Sequence, residues 1–294
     1  IGNSTGKGRF QKAVVLVYST VRHLIEAIKF KPDVLIGRPS PMMATTSFLI
    51  GKKNIVYCDT ERSKEALFFS KLFSYKILTP MYYRLDLGKK QMRVNTFKEL
   101  FYLHPKYFKP NSKDLKLVGL TSKDKFTFVR FVAWNASHDL GHQGMSNGEK
   151  MRIVKHLEKY GKVLVSSEAP LPKEFDKYVI HVPHTKIHSI MSFAQLFVGD
   201  GLTMAFECNV MGIHSIFTSE LTSGASDELK DIYNLLYVVD DKEHMVEKTI
   251  KKIDELLNDK DLKKKGQEKL KRLLNDKIEM NEWFVDYLEK EIGK

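Results

Sequence analysis

The chain has 294 residues, 43% hydrophobic and 29% charged, with a net charge of +12. That length exceeds the ~150 residues usual for one domain, so two cores are expected. No stretch approaches the ~18 apolar residues of a membrane span, residues 1–9 are polar and glycine-rich rather than signal-like, and two cysteines, Cys58 and Cys208, make neither a disulfide framework nor a cysteine-rich zinc site. These features fit a cytoplasmic protein, either free or peripheral at the inner face of a membrane.

Residues 10–30 read as a helix that Pro32 breaks, and residues 33–37 as a short buried strand. A helix over 41–50, a strand over 54–58, a helix over 63–72 and a strand over 75–78 follow. This alternation is the signature of βαβ units on a parallel sheet. Residues 80–114, with Pro80, Pro105 and Pro110, read as irregular. A domain junction is expected near 119–122, and the alternation then restarts. Strands are expected over 126–134, 162–166, 178–182, 196–198 and 214–217, and helices over 148–160, 186–194 and 203–211. Beyond residue 242 come three charged helical stretches divided near Lys260 and Asp276, the last with an apolar stripe of Trp283, Phe284, Tyr287 and Leu288. The expected organisation is an α/β fold of two doubly wound, Rossmann-like halves, with residues 1–120 as the first domain, 121–275 as the second and 276–294 as a helix bracing them.

The charge is unevenly divided. Residues 1–120 hold 22 Lys and Arg against 8 Asp and Glu, whereas 121–240 hold 12 against 14 and 241–294 are balanced. A basic first half suits an anionic membrane surface or a phosphorylated acceptor; its plainer reading is a solvated lysine-rich surface. Nucleic acid is the weaker partner, because the chain lacks the aromatic-plus-basic motifs of RNA-binding folds.

The most specific constellation is Gly199, Asp200, Gly201, Thr203 and Glu207, followed by Gly212. A strand, a tight glycine turn and a helix in that order aim backbone N–H groups and the positive helix end at the crevice above the sheet, where a diphosphate binds. Glu207, four residues after Thr203 on the same helix face, suits the two hydroxyls of a ribose. Short glycine motifs are also common in ordinary strand-turn-helix connections.

Residues 199–212 (GDGLTMAFECNVMG) resemble the nucleotide-binding segment of glycosyltransferase-B enzymes and of UDP-N-acetylglucosamine 2-epimerase. More closely, FVRFVAWNASHD (128–139), SSEAPLP (166–172), IHSIMSFAQLFVGD (187–200) and YLHP (102–105) resemble an uncharacterised archaeal and bacterial group, domain of unknown function 354, over nearly the whole chain. The resemblance implies a glycosyltransferase-B-like fold and a nucleotide diphosphate-sugar, UDP-sugar above others, as donor substrate, with Glu207 on the ribose. No further cofactor and no metal are required. Members usually begin with strand-helix units ahead of a stretch like Gly2 to Gly8, so the first domain is expected to lack those units. The arginine- and glutamate-containing loop of true epimerases is replaced here by residues 135–146, so epimerase chemistry does not carry over.

That loop is the best place for chemistry: His138 and Asp139 offer a base and its orienting carboxylate at the end of a strand, and Trp134 beside them joins the ligand-binding set. The alternative is a loop that only caps the next helix. His138 and His142 do not make a metalloprotease pair, because Gly141 and Gly144 argue against a helix and the required Glu is missing. Ser166, Ser167 and Glu168, at a strand's carboxyl end, contact phosphate or sugar, or cap a turn. His184 lies where related folds grip the base, and His188 reads as a packed histidine. In the first half, Arg38 meets an anionic acceptor or ligand and Asp59 serves as a second candidate base, unless each only caps a helix. Gly2 to Gly8 lacks the Ser or Thr after its Lys and a preceding strand, which argues against P-loop chemistry.

The function expected is sugar transfer to an acceptor in glycan or glycolipid synthesis. The alternatives are epimerisation or hydrolysis of the same donor, and a non-catalytic nucleotide- or nucleic-acid-binding protein that kept the fold.

Overall fold

The computed structural model describes residues 9–62, 64–133 and 144–293, which fall into two compact units. The first comprises the described residues up to Thr96, Ser223–Ala225 and those from Glu279 on; the second comprises Phe97–Thr222 and Ser226–Ile278.

In the first unit, α1 (Arg9–Phe30), β1 (Val34–Gly37), α2 (Pro41–Leu49), β2 (Lys53–Tyr57), α3 (Lys64–Phe73), β3 (Lys76–Pro80) and β4 (Gln91–Val94) follow one another. The four strands pair in sequence order and all in parallel. Ile55, Val56, Ile77 and Leu78 are fully buried, which is why β2 and β3 read as unbroken apolar runs. Helix α2 starts at Ser40, whose hydroxyl caps it ahead of Pro41. β4 lies inside the stretch expected to be irregular; four residues containing Gln and Arg give too little periodicity to be seen.

The second unit opens with α4 (Leu100–Leu103) and a 3-10 segment, Ser112–Val118. Then come β5 (Phe126–Phe131), α5 (Asn147–Leu157), β6 (Lys162–Ser167), α6 (His184–Met191), β7 (Leu196–Gly199), α7 (Leu202–Asn209) and β8 (Ser215–Phe217). After α8 (Gly224–Asp227), whose first two residues belong to the other unit, and one π turn, the unit closes with β9 (Leu236–Val238), α9 (Met245–Leu257) and α10 (Leu262–Asp276). Helix α11 (Met280–Ile292) lies in the first unit. The sheet of the second unit runs β6-β5-β7-β8-β9, entirely parallel. Phe128 and Phe197 stack on neighbouring strands with centroids 6.5 Å apart, and Val129, Val165, Val198 and Ile216 fill the other face.

Three expectations change. Residues 178–182 form no strand: Val179 makes one isolated bridge to Val165, because the amides of Tyr178 and Val179 both turn back to the carbonyl of Phe175. β5 stops at Phe131 rather than residue 134, because side-chain carboxylates claim the next two amides: Asp200 Oδ1 takes that of Val132 (2.8 Å) and Glu168 Oε2 that of Ala133 (3.1 Å). The division between units falls after Thr96 rather than near residue 120. Phe97 meets Phe206 and Tyr233 edge to face, both at 6.4 Å, and Asn111 exchanges two hydrogen bonds with Ser189, so the segment 97–118 packs with the second unit.

His214, just before β8, is 2% exposed. Its Nδ1 lies 3.2 Å from the Tyr237 hydroxyl, while Nε2 has no hydrogen-bond partner among the described residues. Burial, reinforced by Lys269, pulls its pKa down to about 4. The proton therefore binds the unfolded chain more tightly, so this contribution to stability is whole above the unfolded pKa near 6.5 and is lost as pH falls to about 4. A shift of that size corresponds to roughly 3 kcal/mol. Urea unfolding of wild type and His214→Phe at pH 7 and pH 4.5 is expected to show a smaller pH-dependent loss in the variant.

Candidate functional site

A sheet ordered β6-β5-β7-β8-β9 reverses its winding between β5 and β7, and open parallel sheets bind ligands at the carboxyl ends of the strands at such a reversal. Gly199 and Arg130 face each other there as register partners. A Cβ on Gly199 would sit 2.1 Å from the Arg130 carbonyl oxygen, so no other residue fits. The Gly199 carbonyl accepts the amide of Thr218, which follows β8, and Asp200 ties the turn to Val132 with its own carboxylate. Asp200 is buried in this turn, with one carboxylate oxygen on the Val132 amide.

Gly201 opens α7 without any side-chain cap. Its backbone comes so close to Arg130 that a Cβ would lie 2.9 Å from the arginine Cγ. The first amides of α7 thereby keep their donors and the positive end of the helix. Thr203 is exposed in this first turn, and Gly212, with φ of +78°, ends the helical segment before β8.

One turn beyond Thr203, Glu207 is 7% exposed. The Tyr102 hydroxyl donates to its Oε1 (2.8 Å), and His188 Nε2 lies 3.0 Å from the same oxygen. The Tyr102 and His188 rings pack 5.6 Å apart, and Phe108 meets His188 edge to face at 6.4 Å. The segment carrying Tyr102 is fastened to α6 by the Asn111–Ser189 bonds and by Lys186 with Asp114 (3.2 Å). The result is a carboxylate held in one direction by two donors on a single oxygen, with the second oxygen taking neither of them. His188, read from sequence as a packing residue, is packed and also contacts Glu207. Tyr102 has no local sequence signal pointing to Glu207, since only the fold brings the two together.

Ser166 and Glu168 bind a side chain that the sequence reading passed over. Arg130 donates from Nη1 to Ser166 Oγ (2.7 Å) and from Nη2 to Glu168 Oε1 (2.6 Å). The signal for it was present: one arginine inside the apolar run 126–132. Ser167 caps its own turn, its hydroxyl donating to the Ala169 carbonyl. His184 is exposed at the start of α6, one turn before His188. In the first unit Arg38 approaches Asp59 at 3.5 Å, with its own side chain 73% exposed. Trp134, His138 and Asp139 lie outside the described residues. Helix α5 is capped by Ser146, whose hydroxyl and Glu149 form a capping box.

No protein-family model and no curated protein sequence matches the chain. Solved structures do. A spinosyn rhamnosyltransferase in complex with spinosyn aglycone superposes with a TM-score of 0.61 at 11% identity, covering 95% of this chain and 80% of that one. The UDP-GlcNAc 2-epimerase of Neisseria meningitidis bound to UDP-GlcNAc gives 0.61 at 10% identity, covering 86% and 75%. The enzyme of Methanocaldococcus jannaschii in complex with UDP-GlcNAc and UDP gives 0.56 at 12%, covering 93% and 83%. At such identities the likeness is one of fold: an α/β chain with two parallel, Rossmann-like sheets of the glycosyltransferase-B type.

Proposed function

We propose that the second unit binds a nucleoside diphosphate-sugar, with UDP-sugars the favoured class, and that the protein transfers the sugar to an acceptor in glycan or glycolipid synthesis. The observation that carries this reading is Glu207, a buried carboxylate braced by Tyr102 and His188 on the helix that begins at the glycine turn. A carboxylate so held accepts ribose hydroxyls without losing freedom on binding, while the diphosphate lies at the uncapped start of α7 beside Gly199, Gly201 and Thr203. Ligands in two of the structural neighbours, UDP-GlcNAc and UDP, belong to the same chemical class.

In this proposal the helix end stabilises the charge that develops on the departing diphosphate, so catalysis is electrostatic and calls on no metal ion. The acceptor hydroxyl needs a base, for which His138, Asp139 and Asp59 remain the sequence-based proposals. We assign the acceptor side to the basic first part of the chain, where the charge excess suits a phosphorylated acceptor or an anionic membrane surface. Epimerisation or hydrolysis of the same donor is the second reading, favoured by the epimerases among the neighbours.

Calorimetric titration with UDP tests the donor site. Glu207→Gln is expected to weaken UDP binding roughly 10- to 100-fold, as for a lost hydrogen bond to a charged group. Unchanged affinity would remove the basis of the proposal. Tyr102→Phe and His188→Gln, which loosen the carboxylate without removing it, are expected to cost less, on the order of 3- to 10-fold in UDP affinity. Incubation with UDP-GlcNAc alone tests the second reading: free UDP or an altered sugar without any acceptor marks hydrolysis or epimerisation, and an intact donor removes that reading.

A further inference from the structure

We propose that Arg130 is the cationic side chain that meets the diphosphate, an inference that rests on the nucleotide-sugar reading of this unit. An arginine within a strand whose other residues are all buried is costly unless it is satisfied and used. Its pair with Glu168, half-exposed at 45%, gives little stability in return. The arrangement makes better sense as a prepared anion contact.

Three features point the same way. On the β6 side, Ser166 and Glu168 each take one N–H of the guanidinium, and Glu168 is itself anchored by the Ala133 amide, so the head group is fixed in orientation. The remaining three of its five N–H groups have no protein partner among the described residues. On the β7 side, the two residues beside the arginine are Gly199 and Gly201, and their lack of side chains lets the α7 N-terminus come against its stem. Beyond Gly199 lies Thr218, 3% exposed, whose Oγ1 has no partner among the described residues. A buried hydroxyl without a protein partner is one that a bound oxygen-rich group satisfies. A fixed charge and an uncapped helix start therefore adjoin at the ends of β5 and β7, and an unused buried hydroxyl follows β8 directly. A planar guanidinium with spare donors suits two adjacent phosphoryl groups better than an ammonium does.

Calorimetry with three probes, inorganic pyrophosphate, UDP and uridine, tests the assignment on wild type, Arg130→Gln and Arg130→Lys, with thermal melts by circular dichroism to confirm folding. Arg130→Gln is expected to weaken pyrophosphate and UDP at least about tenfold while uridine stays within about twofold, and Arg130→Lys, which keeps the charge but loses the fork, to fall between. A folded Arg130→Lys protein provides the comparison if the glutamine variant fails to fold. Equal weakening of UDP and uridine would make Arg130 a brace of the sheet and overturn the proposal, as would unchanged UDP affinity or wild type indifferent to pyrophosphate. Arg130-dependent binding of pyrophosphate with no binding of UDP or uridine would sustain the anion contact and remove the nucleotide reading instead.

Discussion

The candidate site depends on one close approach, the backbone of Gly199 against the carbonyl of Arg130. Because no Cβ fits between them, β5 and β7 can end level with each other, and the chain leaves β7 directly into the start of α7. Everything assembled around the crevice follows from that join. The Asp200 carboxylate reaches Val132, the Thr218 amide reaches the Gly199 carbonyl, and Gly201 sets the uncapped helix start over the arginine stem. A methyl group at position 199 would push apart the two strands that frame the winding reversal of the sheet.

Around this join, carboxylates serve as fasteners. Asp200 and Glu168 take the amides that would otherwise have prolonged β5, and Glu168 also holds Arg130. Glu207 differs, because its donors are side chains drawn from two separate stretches, and both converge on one of its oxygens. A carboxylate that bonds backbone amides defines where a strand ends. One held by a phenol and an imidazole is aimed, which is the distinction that separates Glu207 from its acidic neighbours.

Much of this architecture was legible in the amino-acid order because it follows from local chemistry. Apolar runs such as Ile55–Val56 and Leu196 to Val198 are buried on both faces, so they announce parallel strands without help from the rest of the chain. Gly199 and Gly201 were legible for the same reason, since a turn that tight requires them. What stayed hidden depends on distant partners. Residues 178–182 have the composition of a strand, yet the amides of Tyr178 and Val179 fold back on Phe175, and nothing within the segment signals that choice. β9 is three residues long and follows a π turn, too short for periodicity to register. Tyr102 and His188 acquire their role only where the fold brings them to Glu207. Arg130 was visible as a charge out of place, but its meaning needed Ser166 and Glu168 beside it.

The first unit draws its last piece from residues that follow the whole second unit. Lys53 on β2 donates to Glu291 on α11 at 2.9 Å and lies 4.5 Å over the Tyr75 ring. The amide of Gly224 donates to Glu61, and its backbone passes so close to Tyr82 that no side chain is tolerated there. During synthesis at ~5–20 residues per second, roughly 10 to 40 seconds separate the appearance of residue 96 from that of residue 291. By the end of that interval the second unit has all of its strands, while the first still waits for its closing helix. The order of completion along the ribosome is therefore the reverse of the order of the domains in the sequence.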